Sequence, residues 1–248
     1  MVAARHLEHA PIREGMVDIQ FEPPIPLERI ERFADSLATE FPKRTRLWQH
    51  SFGVEISTGG KHNAASEGTP LGVRLESDPS GRILSIRTNG FAFSRLAPYE
   101  DWADLRETAK TVWDRFVVDV QPEVVSRMAV RFINLLPLPA PFNDFSEYLT
   151  AAPNVPPNLP QGLSAFLQRV VIVDPAQNRK AIVTQALEES QSSVQTGTVG
   201  IFLDIDTFRV ARVDSPSPEV WAALDQLRDF KNAIFFDHIT EKTAELFQ

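Results

Sequence analysis

VGIFLDIDTF, residues 199–208, followed after a turn by PEVWAALDQLRDFKNAIFFDHITEKTAELF, residues 218–247, decides how this chain is read. The first segment has the composition of a strand and the second the length of a helix. Side chains alternate faces along a strand. Val199, Ile201, Leu203 and Ile205 therefore make one apolar face, and Phe202, Asp204, Asp206 and Phe208 point the other way. Two carboxylates on one face repel unless positive charge lies between or opposite them. A divalent metal, a substrate or arginines from a neighbouring strand would each supply it.

The nearest upstream source of positive charge is the segment Val124 to Leu136. There Met128, Val130 and Phe132 alternate with Arg127, Ala129, Arg131 and Ile133. Arg127 and Arg131 interlocked with Asp204 and Asp206 on one sheet face would satisfy every charge. A metal site would need further ligands beside Asp204 and Asp206, because Mg²⁺ or Mn²⁺ is rarely held by two carboxylates alone. No HExxH and no second Asp-x-Asp supplies them, so no metal is assigned. Of five histidines, His238 is the one near the carboxy-terminal helix that would join such a site, with Glu241 beside it in the sequence. Arg127, Arg131, Asp204, Asp206 and His238 are thus the candidates for ligand binding or structural ion pairing, and no residue is assigned as catalytic.

Moving outward, residues 1–13 read as an extended lead-in and Met16 to Glu22 as a strand with Val17, Ile19 and Phe21 inward. Pro23, Pro24 and Pro26 end it, and PLERIERFADSLATEF follows with helical spacing of its apolar residues. Gln49 to Ser57 and Leu71 to Ser77 read as strands. The glycine-rich stretch 58–70 between them reads as a mobile hairpin connection; it lacks P-loop spacing. Arg82 to Phe93 reads as one longer strand, and YEDWADLRETAKTVWDRFV as a helix. Pro137 to Pro160 contains seven of nineteen prolines and reads as a linker interrupted by FNDFSEYL. Ala165 to Val173, Lys180 to Glu188 and Val199 to Val210 are three further strands, with ESQSSVQTG as a hairpin loop. Asp237 is placed to cap a final short helix. Phe91, Phe93, Phe202 and Phe208 are the aromatic candidates for an apolar pocket between sheet and helices, with core packing the simpler account.

Written as elements, residues 1–123 and 124–248 match. Each runs strand, helix, three strands, helix, and Trp-Ala-x-Leu recurs at Trp102–Leu105 and Trp221–Leu224. The expected class is α+β: an internally duplicated β-α-β-β-β-α unit, mostly antiparallel, with helices on one face of the sheet. A single compact unit fits better than two independent domains, with 137–160 as the proline-rich connection.

The chain has 248 residues, 43% hydrophobic, with net charge −8 and a pI near 5.2. An acidic balance argues against a general nucleic-acid binder. The small basic cluster Lys43, Arg44 and Arg46 reads as a solvated helix end. No cysteine is present, which excludes disulfides, thiolate nucleophiles and cysteine-based zinc sites. No apolar run reaches membrane-spanning length, and no GxSxG or GxGxxG points to a hydrolase elbow or a dinucleotide site. A cytoplasmic protein with no cofactor, no membrane partner and a tendency to homodimerise is expected.

Several stretches resemble one family together: APIREGMVDIQFEP (10–23), YEDW (99–102), SRMAVRFINLLPLP (126–139), LDIDTF (203–208) and LRDFKNAIFFDHITEKTAELF (227–247). They are similar to a sporadically distributed bacterial family of conserved hypothetical proteins without an established activity. The resemblance implies one unit rather than a fusion, and it carries no function. The favoured reading is a non-catalytic binding or regulatory protein recognising a protein or small ligand. The alternative is a metal-dependent hydrolase or nuclease using Asp204 and Asp206.

Overall fold

The computed structural model describes residues 7–56, 62–78, 80–188 and 197–248. Nine strands among them form one antiparallel sheet: β1 (Ile12–Glu22), β2 (Lys43–Ile56), β3 (His62–Ser77), β4 (Arg82–Arg87), β5 (Gly90–Leu96), β6 (Val124–Pro139), β7 (Leu167–Asp174), β8 (Arg179–Leu187) and β9 (Thr198–Asp214). Their order across the sheet is β2-β3-β4-β5-β1-β6-β9-β8-β7. The helices are α1 (Leu27–Ser36), α2 (Trp102–Val120), α3 (Glu219–His238) and the short α4 (Glu241–Glu245). The fold is α+β.

The first strand of each half lies at the centre. β1 pairs with β6 in a register that sets Val17 against Val130 and Ile19 against Met128. The last strand of each half, β5 or β9, flanks that pair, and earlier strands lie further out. The halves are unequal, four strands following α1 and three following the short 3-10 turn Phe145–Glu147. The extra strand arises because residues 82–93, expected as one strand, fold back on themselves. Arg87 pairs with Gly90 across a two-residue turn at Thr88–Asn89, and Asn89–Gly90 is the hairpin signal that a single-strand reading passes over.

Alternation along β1 buries Val17, Ile19 and Phe21 beneath the helices. The covered face continues through Phe91 and Phe93 of β5 and Val130 and Phe132 of β6, against Ile30 and Phe33 of α1, Trp113 and Phe116 of α2 and Leu224 and Leu227 of α3. A second apolar cluster joins Leu203 and Ile205 of β9 to Ile234 and Phe235 of α3. Phe202 and Phe208, in contrast, alternate onto the uncovered face, so they line no pocket between sheet and helices. That uncovered face also carries Asp18, Arg127, Arg131, Asp204 and Asp206.

Several local expectations change. Residues 62–70 of the expected hairpin connection belong to β3, paired with β2; residues 58–61 of it, like 189–196 of the second hairpin loop, lie outside the described residues. Strand β6 runs on into the prolines, with Pro137 opposite Gly200 and Pro139 opposite Thr198. This is tolerated because β1 stops pairing at Asn134, so the missing proline N–H groups face no partner strand. Lys43, Arg44 and Arg46 begin β2 rather than end a helix, and they pair with Asp78, Asp35 and Glu31. The cap of the last helix is Thr240, whose hydroxyl accepts from Thr243 N, and not Asp237.

Candidate functional site

Charge is distributed differently on the two faces of β6. On the uncovered face, Arg87 of β4 donates to Asp18 Oδ2 at 2.7 Å, and Arg127 donates to Asp18 Oδ1 at 3.1 Å and to Asp206 Oδ2 at 2.9 Å. Arg131 grips both oxygens of Asp204, at 2.9 and 2.6 Å. Each arginine passes over the residue opposite it and reaches a carboxylate further along β9, as long side chains can on a diagonal. The Arg127 guanidinium also lies 4.5 Å above the Phe208 ring. Four strands are thereby tied by alternating charge.

The ladder is not uniformly favourable. Burial pushes the Asp206 carboxyl above its usual range, and the attraction of Arg127 and Arg131 only partly opposes this. For Arg131 the hydrogen bonds to Asp204 dominate and hold its guanidinium more firmly protonated. With both Asp204 oxygens occupied and Asp206 engaged by Arg127, these carboxylates already have their counter-charges. His238 is not brought to them. It ends α3 on the other side of the sheet, with Nδ1 2.7 Å from Ile234 O. Among the described residues no group of three or more histidines, aspartates and glutamates is placed to hold a metal ion.

On the covered face, Lys231 of α3 is 6% exposed, and among the described residues no carboxylate pairs with it. Its Nζ lies 4.0 Å over the Phe132 ring. Two acidic residues of the same helix are engaged elsewhere: Asp225 accepts from Trp102 Nε1 at 2.8 Å and from Arg106, and Asp229 pairs with Arg228. Burial is the main cause, and Arg228 a lesser one, that pushes the Lys231 ammonium down to about 7. An amine in this state is divided between charged and neutral forms near neutrality.

Lys231 lines a cleft of about 190 Å³ between α3, β6 and the segment leading into α2. Ile12, Tyr99, Trp102, Phe132 and Phe235 give it apolar walls, and Asn134 is a buried polar group within it. Glu8, Glu100, Asp101 and Arg228 also contribute to its lining. Burial pushes the Tyr99 phenol up, so it stays protonated.

The wall is made by local packing. Tyr99 meets Phe132 edge-on, with ring centroids 5.3 Å apart. Gly15 of β1 makes room for both, since a β-carbon there would come within 2.9 Å of the Phe132 ring and 3.0 Å of the Tyr99 ring. The turn of α3 preceding Lys231 is anchored by Thr207, whose hydroxyl sits 3.0 Å from Leu227 O.

Sequence reasoning missed Lys231. The available signal was helical spacing: Leu224, Leu227, Lys231 and Ile234 follow one another at three- and four-residue steps, and Phe235 lies four residues after Lys231, so the lysine occupies the buried stripe. A larger cleft, about 1020 Å³, is walled by the proline-rich connection with Leu187, Glu188 and Val199. Asp144 in its lining is engaged in capping, accepting from Ser146 N at 2.8 Å, and no lysine or arginine among the described residues lines it.

No protein-family model matches the chain, and no curated protein matches it.

Proposed function

We propose that the protein is a non-catalytic, cytoplasmic binding protein that receives a small, largely apolar ligand in the Lys231 cleft. One observation carries the reading: a buried amine without a carboxylate partner lines an aromatic-walled cavity, whereas the arginines of the uncovered face are paired. Ligand sites are concave and mostly apolar with a few placed polar groups, and Asn134 with Lys231 would be those groups here. The volume lies below the roughly 300–1,000 Å³ of drug-sized sites, which favours a ligand about the size of one ring. No helix among the described residues is long and apolar enough to cross a membrane.

Metal-dependent hydrolysis at Asp204 and Asp206 has less support, because their oxygens already accept from Arg131 and Arg127. We also read the two halves as descendants of one duplicated unit. The support is the outward strand order from the β1–β6 pair and the repeated Trp-Ala-x-Leu. The unequal strand number weighs against it.

Thermal unfolding with benzyl alcohol, phenol and cyclohexanol tests the cleft. A ligand at 100 times its dissociation constant stabilises by about 2.7 kcal/mol, which for a chain of this size raises the midpoint by roughly 5–11 °C. We expect such a rise for at least one probe, and its loss in Ile12→Phe, which narrows the cleft. No rise with any of them, or an equal rise in the variant, would remove the reading.

A further inference from the structure

We infer that Lys231 captures its ligand covalently, forming an imine with the carbonyl carbon of a small, uncharged aldehyde or ketone that enters the cleft. The inference rests on the reading of this cavity as a ligand site and names the chemical class of the ligand.

Three observations carry it. The Lys231 side chain lines the cleft without a carboxylate partner among the described residues, so its nucleophilic nitrogen is not committed to an ion pair. Tyr99, Trp102 and Phe132 give the cleft aromatic surface against which the carbon substituent of the imine can pack. The charged groups lining the cleft beside the lysine are Glu8, Glu100, Asp101 and Arg228; Glu100 is held by Arg95 and Arg228 by Asp229, which leaves the carboxylates of Glu8 and Asp101 to select the ligand. That balance disfavours an anion and leaves a neutral carbonyl compound as the match for an amine. The lowered proton affinity of the buried ammonium supplies the free base near neutral pH.

The step balances without a further reactant. The amine lone pair forms the carbon–nitrogen bond as the carbonyl π electrons move to oxygen. Dehydration then sends that oxygen out as water with both amine protons, leaving a carbon–nitrogen double bond.

Of six lysines in the chain, Lys43, Lys110 and Lys242 are held by carboxylates. They serve as internal controls. The test is incubation of the protein with benzaldehyde and cyanoborohydride at pH 7, followed by intact mass and peptide mapping. One benzyl group per chain is expected, on Lys231, forming roughly tenfold or more faster than at the paired lysines because the free-base fraction is far larger. Lys231→Met should lose that adduct while unfolding at a midpoint at or above that of the wild type, which shows the fold intact. Benzylation spread evenly over the lysines, or undiminished in Lys231→Met, would overturn the inference. A benzyl alcohol shift in wild type with no adduct on Lys231 would overturn the imine alone and leave the cleft a non-covalent site. Neither shift nor adduct would remove both readings.

Discussion

On one side of β6, Arg127 and Arg131 meet Asp18, Asp204 and Asp206; on the other, Phe132 carries Lys231 with no carboxylate of the described residues against it. The two regions lie within a few residues of each other along the same strand. The arginines keep their charge through bidentate or bridging contacts, at the cost of desolvating Asp206. The lysine is more deeply buried than any of them, and its proton is held loosely instead. Side chains that share a paired network are committed to holding strands together. A buried cation without such a partner is costly to keep, and a chain that keeps one has a reason beyond the fold.

The largest effect that would break this contrast is expected at Lys231. Its folded proton affinity lies near 7 against an ordinary 10.5. Between those values the unfolded chain holds a proton that the folded chain has released, so this group makes stability rise with pH across the window. Below about pH 7 both states are protonated and the folded state bears the buried charge. Lys231→Met should therefore stabilise the protein at pH 6, on the order of 3 kcal/mol, with the gain shrinking as pH approaches 10.5. Urea unfolding across that range measures it, and a destabilised variant at pH 6 would show the amine to be structurally required.

Next comes Arg127→Met, which strands Asp206 and leaves Asp18 with Arg87 alone. A loss of about 2–3 kcal/mol is expected, less than for a fully buried pair because the groups retain some solvent. Adding Asp18→Asn and Asp206→Asn to the same chain should recover most of that loss. If the triple variant is no better than Arg127→Met alone, packing of the arginine over Phe208 matters more than its charge.

The smallest effect sharpens the comparison from the other side. Asp204→Asn with Asp206→Asn should lower stability by about 1 kcal/mol or less, with Mg²⁺, Mn²⁺, Ca²⁺ and Zn²⁺ leaving both wild type and variant unfolding midpoints in place. A wild-type midpoint raised by metal and unaffected in the variant would instead make these carboxylates a site.

How much of this was legible depends on range. Asp204 and Asp206 on one face and Arg127 and Arg131 on another follow from strict alternation, which the backbone imposes locally. That Arg87 and Asp18 extend the ladder does not, because it requires the register of β4 and β1 across distant segments. Lys231 falls between these cases. Its place on the buried stripe of α3 is visible in the spacing, but a lysine there is ordinarily assumed to reach solvent along its stem. Only the positions of Phe132, Asp225 and Asp229 show that it does not find a partner. The second strand hidden in residues 82–93 was local and readable, through Asn89–Gly90.

The central place of β1 bears on how the chain emerges during synthesis. Val17 is settled against Val130, which is translated 113 residues later. At the ~5–20 residues per second of a ribosome, that is a delay of roughly 6–23 seconds. Through that interval the nascent strand carries Val17, Ile19 and Phe21 on one side and an unmatched Asp18 on the other. The middle of the finished sheet thus closes only once β6 has been made, and the first strand made must wait until then, unpaired on one edge.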